Sequence, residues 1–176
     1  MIQEIRNKII EIAYKYEGEQ EIKGNHGFKN IDFQRKMEGV GFDDGNAWCD
    51  LFAELVWSEA YGRFDSTVIN SIQKLFTKSA VGSYNKFKRS TKFKTGFKPE
   101  PGDLVFWQKY VLNKANWQGH AGIVTKAAQL FFLSMEGNTN SNGGREGIEV
   151  AEKKREYDFY KEDGLRLLGF VKPCNI

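Results

Sequence analysis

Thiol and imidazole chemistry in this chain can draw on only four residues: Cys49, Cys174, His26 and His120. Cys49 follows the turn-rich run Gly41-Phe42-Asp43-Asp44-Gly45-Asn46 and stands at the start of a segment that reads as a helix. A thiol placed there faces backbone N–H groups and the positive helix end, and both favour the nucleophilic thiolate. A thiol also needs a base. His120, in Gly119-His120-Ala121-Gly122, enters a predicted strand that can hold its ring rigidly. His26 sits in a loop and reads as a surface residue, and Cys174, two residues from the end, as an incidental thiol. A third group must orient the imidazole. Glu136 and Asn138 end the next predicted strand, and residues two apart in a strand share a face. Taken singly, the same residues fit a buried core thiol, a structural histidine and two turn residues closing a hairpin.

The elements that must position them divide the chain into two halves. Ile2, Ile5, Ile9, Ile12 and Tyr16 recur at helical spacing, and Gly18 ends that stripe. A short helix is predicted from Ile31 to Met37 and another from Ala47 to Ala60, with Asp44 or Asn46 as its N-cap. A fourth is predicted from Thr67 to Phe76, capped by Ser66. The second half changes period. Asp103 to Trp107 is a strand opened by the Pro101-Gly102 turn. Ala121 to Thr125, Leu130 to Met135, Ile148 to Val150 and Leu165 to Val171 are further strands. Helices followed by an antiparallel sheet is the α+β pattern.

Composition bounds the rest. With 176 residues and 40% apolar content the chain suffices for one domain, 1–176, with a real core. Two cysteines cannot make a disulfide framework, and the scattered Cys and His residues give no zinc-type ligand pair. The charge-broken N-terminus is neither a signal peptide nor a membrane span. Net charge is only +3, but Lys74, Lys78, Lys86, Lys88, Arg89, Lys92, Lys94 and Lys98 form a run without Asp or Glu. Phe76, Tyr84, Phe87, Phe93 and Phe97 interleave with them. A solvated basic face is the expected reading, with contact to an anionic envelope as its possible use and no nucleic-acid partner.

Several segments, in order, resemble the CHAP / NlpC-P60 group of papain-like cysteine peptidases and amidases. Ala47-Trp48-Cys49-Asp50-Leu51-Phe52 resembles the family's tryptophan-cysteine helix start. Pro99-Glu100-Pro101-Gly102-Asp103-Leu104-Val105-Phe106-Trp107 is similar to its Pro-Gly-Asp strand opening. Gly119-His120-Ala121-Gly122-Ile123-Val124 and Glu136-Gly137-Asn138 resemble its histidine strand and third catalytic position. Glu17 to Asn30 and Leu167 to Pro173 resemble the lead-in and closing strand of one CHAP-like subgroup. Trp48 and Asp50 stand where NlpC/P60 proper carries an aspartate and a serine, so the CHAP side matches better.

The resemblance implies a papain-like fold with N-terminal helices packed on a central antiparallel sheet. It implies Cys49 as nucleophile, His120 as general base and acid, and Asn138 or Glu136 as orienting group. Asn138 is favoured for that role, with Glu136 as second polar support. The backbone N–H of Cys49 is the expected oxyanion donor. The implied substrate is peptidoglycan, cut within the stem peptide or between the sugar and the first alanine. Trp48, Trp107 and Trp117 flank the motifs and are expected to wall a substrate groove, although burial of at least two in the core is the commoner fate of such residues. Some CHAP domains bind calcium just before the cysteine, but Asp43-Asp44-Gly45-Asn46 lacks alternating oxygen ligands and reads as a plain turn. No metal or cofactor is expected. A monomer is expected, made in the cytoplasm and reaching the wall by holin release, virion delivery or injection.

Overall fold

The computed structural model describes residues 1–139 and 147–176. Five helices precede one antiparallel sheet: α1 (Ile2–Lys15), α2 (Ile31–Gly39), α3 (Cys49–Gly62), α4 (Ser66–Leu75) and α5 (Ala80–Arg89). The six strands among the described residues are β1 (Lys94–Gly96), β2 (Leu104–Val111), β3 (Lys114–Ala127), β4 (Phe131–Thr139), β5 (Glu149–Glu156) and β6 (Gly164–Lys172). They are ordered β1-β6-β2-β3-β4-β5, all neighbours antiparallel. The α+β class expected from the sequence is what the chain adopts.

Helix α3 is the centre of the molecule. Nearly every residue from Cys49 to Tyr61 is buried, including Asp50 and Glu54. A helix apolar on all sides belongs inside, and α3 touches all four other helices as well as β3 and β4. The alternation of β2 then sorts side chains between two clusters. Leu104 and Phe106 join the main core beneath the helices, with Ile5, Ile9, Phe52, Trp57 and Met135. Val105 and Trp107 point the other way, into a smaller cluster with Val124, Phe132, Leu167 and Phe170.

The Pro101-Gly102-Asp103 turn locks α1 to the sheet. Arg6 donates to the Pro101 carbonyl at 2.7 Å and to Asp103 Oδ1 at 2.7 Å. At the opposite edge, residues 18–21 run along β5, with Gly18 N donating to Val150 O and Glu21 N to Ile148 O. This covers a sheet edge that would otherwise expose unpaired backbone groups.

Several boundaries differ from the sequence expectation. The α4 cap is Asp65, whose side chain accepts from Thr67 N, not Ser66. The N-cap of α3 is Trp48 and carries no side-chain cap bond, so neither Asp44 nor Asn46 caps it. Helix α5 and strand β1 lie inside the basic run and were not expected from it. Within that run all eight basic side chains are exposed, whereas Phe76, Tyr84, Phe87 and Phe93 are buried in the main core. Only Phe97 remains outside, 70% exposed.

Candidate active site

Cys49 is the first residue of α3 and lies at the edge of an open cleft of about 420 Å³. Two glycines let the surrounding backbones close in. A Cβ on Gly137 would stand 2.5 Å from the Trp48 ring and 2.7 Å from Phe52 Cβ, so β4 packs against the start of α3 only because that Cβ is missing. A Cβ on Gly122 would stand 2.8 Å from Glu136 Cγ. Glu136 therefore crosses β3 at the glycine two residues beyond His120.

His120 lies close enough to the Cys49 thiol for the two to influence each other's charge. Its Nε2 meets Glu136 Oε2 at 2.7 Å, which leaves Nδ1 as the ring nitrogen open to another partner. Glu136 is fully buried and saturated: Ser134 Oγ donates to Oε1 at 2.6 Å, and Arg155 donates through Nε to Oε1 at 2.8 Å and through Nη2 to Oε2 at 2.5 Å. The Arg155 guanidinium in turn sits 5.3 Å from the Trp107 ring centroid, and that ring lies against His120 at 5.7 Å and Phe132 at 6.1 Å. The imidazole is thus held on its face by Trp107 and at Nε2 by Glu136.

The electrostatics follow from this arrangement. Burial opposes charge on His120, but the flanking Cys49 and Glu136 charges and hydrogen bonds outweigh it and push its pKa up to about 10. Burial likewise opposes ionisation of Glu136, and the Arg155 and His120 contacts overcome it, holding the carboxyl down to about 2. Burial also works against charge on Arg155, and its bonds to Glu136 raise it nonetheless. At neutral pH the imidazole is an imidazolium set between the Cys49 thiol and a carboxylate, backed by a second cation. A thiolate formed at Cys49 can attack a carbonyl, and the imidazolium can protonate the leaving group.

A scan against protein-family models finds no match, and neither do searches of curated proteins and solved structures. The geometry is therefore what carries the functional argument.

The expected site residues fall in different places. Cys49, His120 and Asn138 line the cleft, and Glu136 lies behind His120. The bond to the imidazole comes from Glu136, not from the favoured Asn138. The register of β4 against β5 shifts between Glu136 and Thr139, and Asn138 adopts φ 52°, so the strict alternation that put both residues on one face breaks there. Of the three tryptophans, Trp117 alone lines the cleft, 81% exposed. Trp48 is a core residue whose indole N–H donates to the buried Glu21 at 2.5 Å, and Trp107 is buried behind His120. Both are corrected from groove wall to scaffold.

Other residues went unread in the sequence. Arg155 lies within the charge-rich strand Glu152-Lys153-Lys154-Arg155-Glu156, where nothing marks it out. Ser134 had a signal, since it stands two residues before Glu136 on the same strand face. Lys78, Ser79 and Ala80, from the link into α5, form another part of the cleft wall. The Asp43-Asp44 turn already engages its carboxylates: Lys78 Nζ lies 2.8 Å from Asp43, and His26 Nδ1 lies 3.5 Å from Asp44. Among the described residues, no group of three or more His, Cys, Asp or Glu is arranged to hold a metal ion, and no helix is long and apolar enough to cross a membrane.

Proposed function

We propose that this protein is a cysteine-dependent peptidoglycan hydrolase with a papain-like CHAP-type fold, acting as a phage lysin or interbacterial effector. The observation that carries the reading is the Cys49–His120–Glu136 relay, with its thiol at a helix start and at the edge of an open cleft. Cys49 Sγ attacks an amide carbonyl and forms a C–S bond, and the electron pair of the C=O bond moves to oxygen. The backbone N–H of Cys49 stabilises that oxyanion. The tetrahedral intermediate collapses, the C–N bond breaks, and His120 delivers its proton to the departing amine. A water then gives a proton to His120 and attacks the thioester, releasing the acid and restoring the thiolate–imidazolium pair. The bond cut lies in the stem peptide or between the sugar and the first alanine. Holin release, virion delivery or injection brings the enzyme to the wall.

The test is release of new amines from purified peptidoglycan, with muropeptide mass spectrometry to name the bond. Cys49→Ala is expected to abolish release while keeping the wild-type circular dichroism. Undiminished release by that variant rejects the mechanism.

A second reading is a non-catalytic virion or envelope-binding protein on the same fold. The eight exposed basic residues between Lys74 and Lys98 favour it. Inertness of Cys49 toward iodoacetamide at neutral pH would select it over the first.

A further inference from the structure

The Cys49 cleft carries a cationic bias. Lys78, Lys109, Lys153 and Arg155 line it, and among the described residues no aspartate or glutamate does. Arg155 binds Glu136, and Lys78 binds Asp43. Lys109 is different, because the partner its Nζ meets at 3.2 Å is the amide oxygen of Gln118, which neutralises nothing. Its position is built by the sheet. Between the pairs Gln108–Gly119 and Tyr110–Ala115 the β2–β3 register shifts, so Lys109 alone stands opposite Asn116, Trp117 and Gln118. A bulge of this kind re-aims side chains, and here it turns Lys109, Trp117 and Gln118 into the cleft beside Gly119 and His120. A cationic cleft with low-dielectric walls concentrates anions at the nucleophile.

We propose that the cleft selects amide substrates bearing a free carboxylate close to the scissile bond, with Lys109 as the counter-ion. The proposal rests on the reading of Cys49 as nucleophile and adds the charge of the substrate. The positive charge contributed by the His120 imidazolium is common to any substrate. The discriminating charge belongs to Lys109, whose Nζ bonds Gln118 rather than a member of the relay. Trp117 adds an exposed ring at the rim for the apolar or sugar portion of the same molecule.

The test separates charge preference from substrate identity. Full-length protein is alkylated with iodoacetate and with iodoacetamide, a carboxylate and its neutral amide, and modification of Cys49 is followed by peptide mass. The ratio of the two rates is the readout, with iodoacetamide as internal reference for an intact site. Lys109→Met is expected to lower the ratio about threefold, the scale of a unit charge acting across several ångströms at a dielectric close to that of water, while Lys109→Arg keeps it. A Lys109→Met variant with the wild-type ratio overturns the proposal.

The second arm uses soluble stem peptides with free or amidated carboxylates. The free form is expected to be cut with at least tenfold higher kcat/KM, and Lys109→Met is expected to narrow that gap through KM. If neither peptide is cut but the alkylation ratio still falls in Lys109→Met, the wall substrate is rejected and the carboxylate-selective cleft stands. If both peptides are cut equally and the ratio does not move, the charge proposal is rejected and the hydrolase reading stands.

Discussion

Glu136 fixes both the orientation and the charge of His120, and this makes the two candidate third residues experimentally separable. Its carboxylate faces Nε2 at 2.7 Å and helps hold the imidazolium up to a pKa of about 10. Because the folded value is raised above the ordinary 6.5, the charged ring persists until pH rises through about 10. Glu136→Gln removes one anionic neighbour, so the alkaline limb of Cys49 alkylation is expected to move down toward neutral pH. Hydrolysis is expected to fall by about 10²–10⁴-fold, the range associated with a disabled general acid–base. Asn138→Ala, at a residue that lines the cleft without bonding the ring, is expected to fall less than tenfold and to keep the wild-type limb. The two pH profiles decide it, and a shifted limb in Asn138→Ala would return the orienting role to that residue. The thiol and the base were legible in the sequence because a helix start and a strand entry are local features. The third member was not, because the choice depended on a left-handed residue interrupting β4. Arg155 was beyond reach for a related reason, since its partner Glu136 is supplied across a strand pairing that no local pattern encodes.

At the scale of elements, α3 buries two carboxyls one turn apart, Asp50 and Glu54, just behind Cys49. Burial pushes Asp50 up to about 6 against the hydrogen bond from Ser83 Oγ, which itself accepts from the Thr77 backbone N–H. Burial and the nearby Asp50 charge push Glu54 up to about 8. These bonds tie α3 to the Thr77–Ser83 link, whose Lys78, Ser79 and Ala80 line the cleft. Both carboxyls hold protons more tightly in the fold than in the unfolded chain. Native protein therefore binds more protons between the ordinary carboxylate range and about pH 8, and stability declines as pH rises through that window. Glu54→Gln is expected to flatten this decline and to melt about 3 °C or more above wild type at pH 8, with a smaller difference at pH 4.5. Parallel melting curves at the two pH values measure it, and parallel declines in both proteins would remove Glu54 as the cause. Helices α1 to α4 and five of the strands were legible because each shows an apolar period bounded by a turn or cap. Helix α5 was hidden, although Ser79 caps it and Ala80, Tyr84 and Phe87 recur on its buried side. The charges interleaved with that stripe made the whole stretch read as solvated surface. Strand β1, three residues paired to the distant end of β6, has no local signature to read.

At the scale of the molecule, charge is sorted by direction. The chain carries 26 basic and 23 acidic residues, yet the segment from Lys74 to Lys98 contains eight of the former and none of the latter. Four of its five aromatics turn inward, as in the Trp57–Phe93 and Phe87–Phe106 contacts, so apart from Phe97 its outer surface is left to the cations. This geometry suits an extended anionic surface better than stacked bases, which require exposed rings. Binding by such a face is long-ranged at low ionic strength and collapses as the Debye length shrinks from about 30 Å at 0.01 M salt to about 3 Å at 1 M. The full chain is therefore expected to sediment with insoluble anionic cell envelopes in dilute buffer and to be released by about 0.5 M salt, close to the strongly screened limit. A variant with Lys86, Lys88, Arg89 and Lys92 changed to glutamine is expected to stay in the supernatant at every salt concentration. These four residues are exposed on or just after α5 and none of them lines the cleft, so their loss is read in the sedimented fraction and separately from Cys49 chemistry. Equal sedimentation of the variant and the parent would assign the face to solvent alone, and the cationic cleft would then have to supply whatever attraction draws this protein to an anionic substrate.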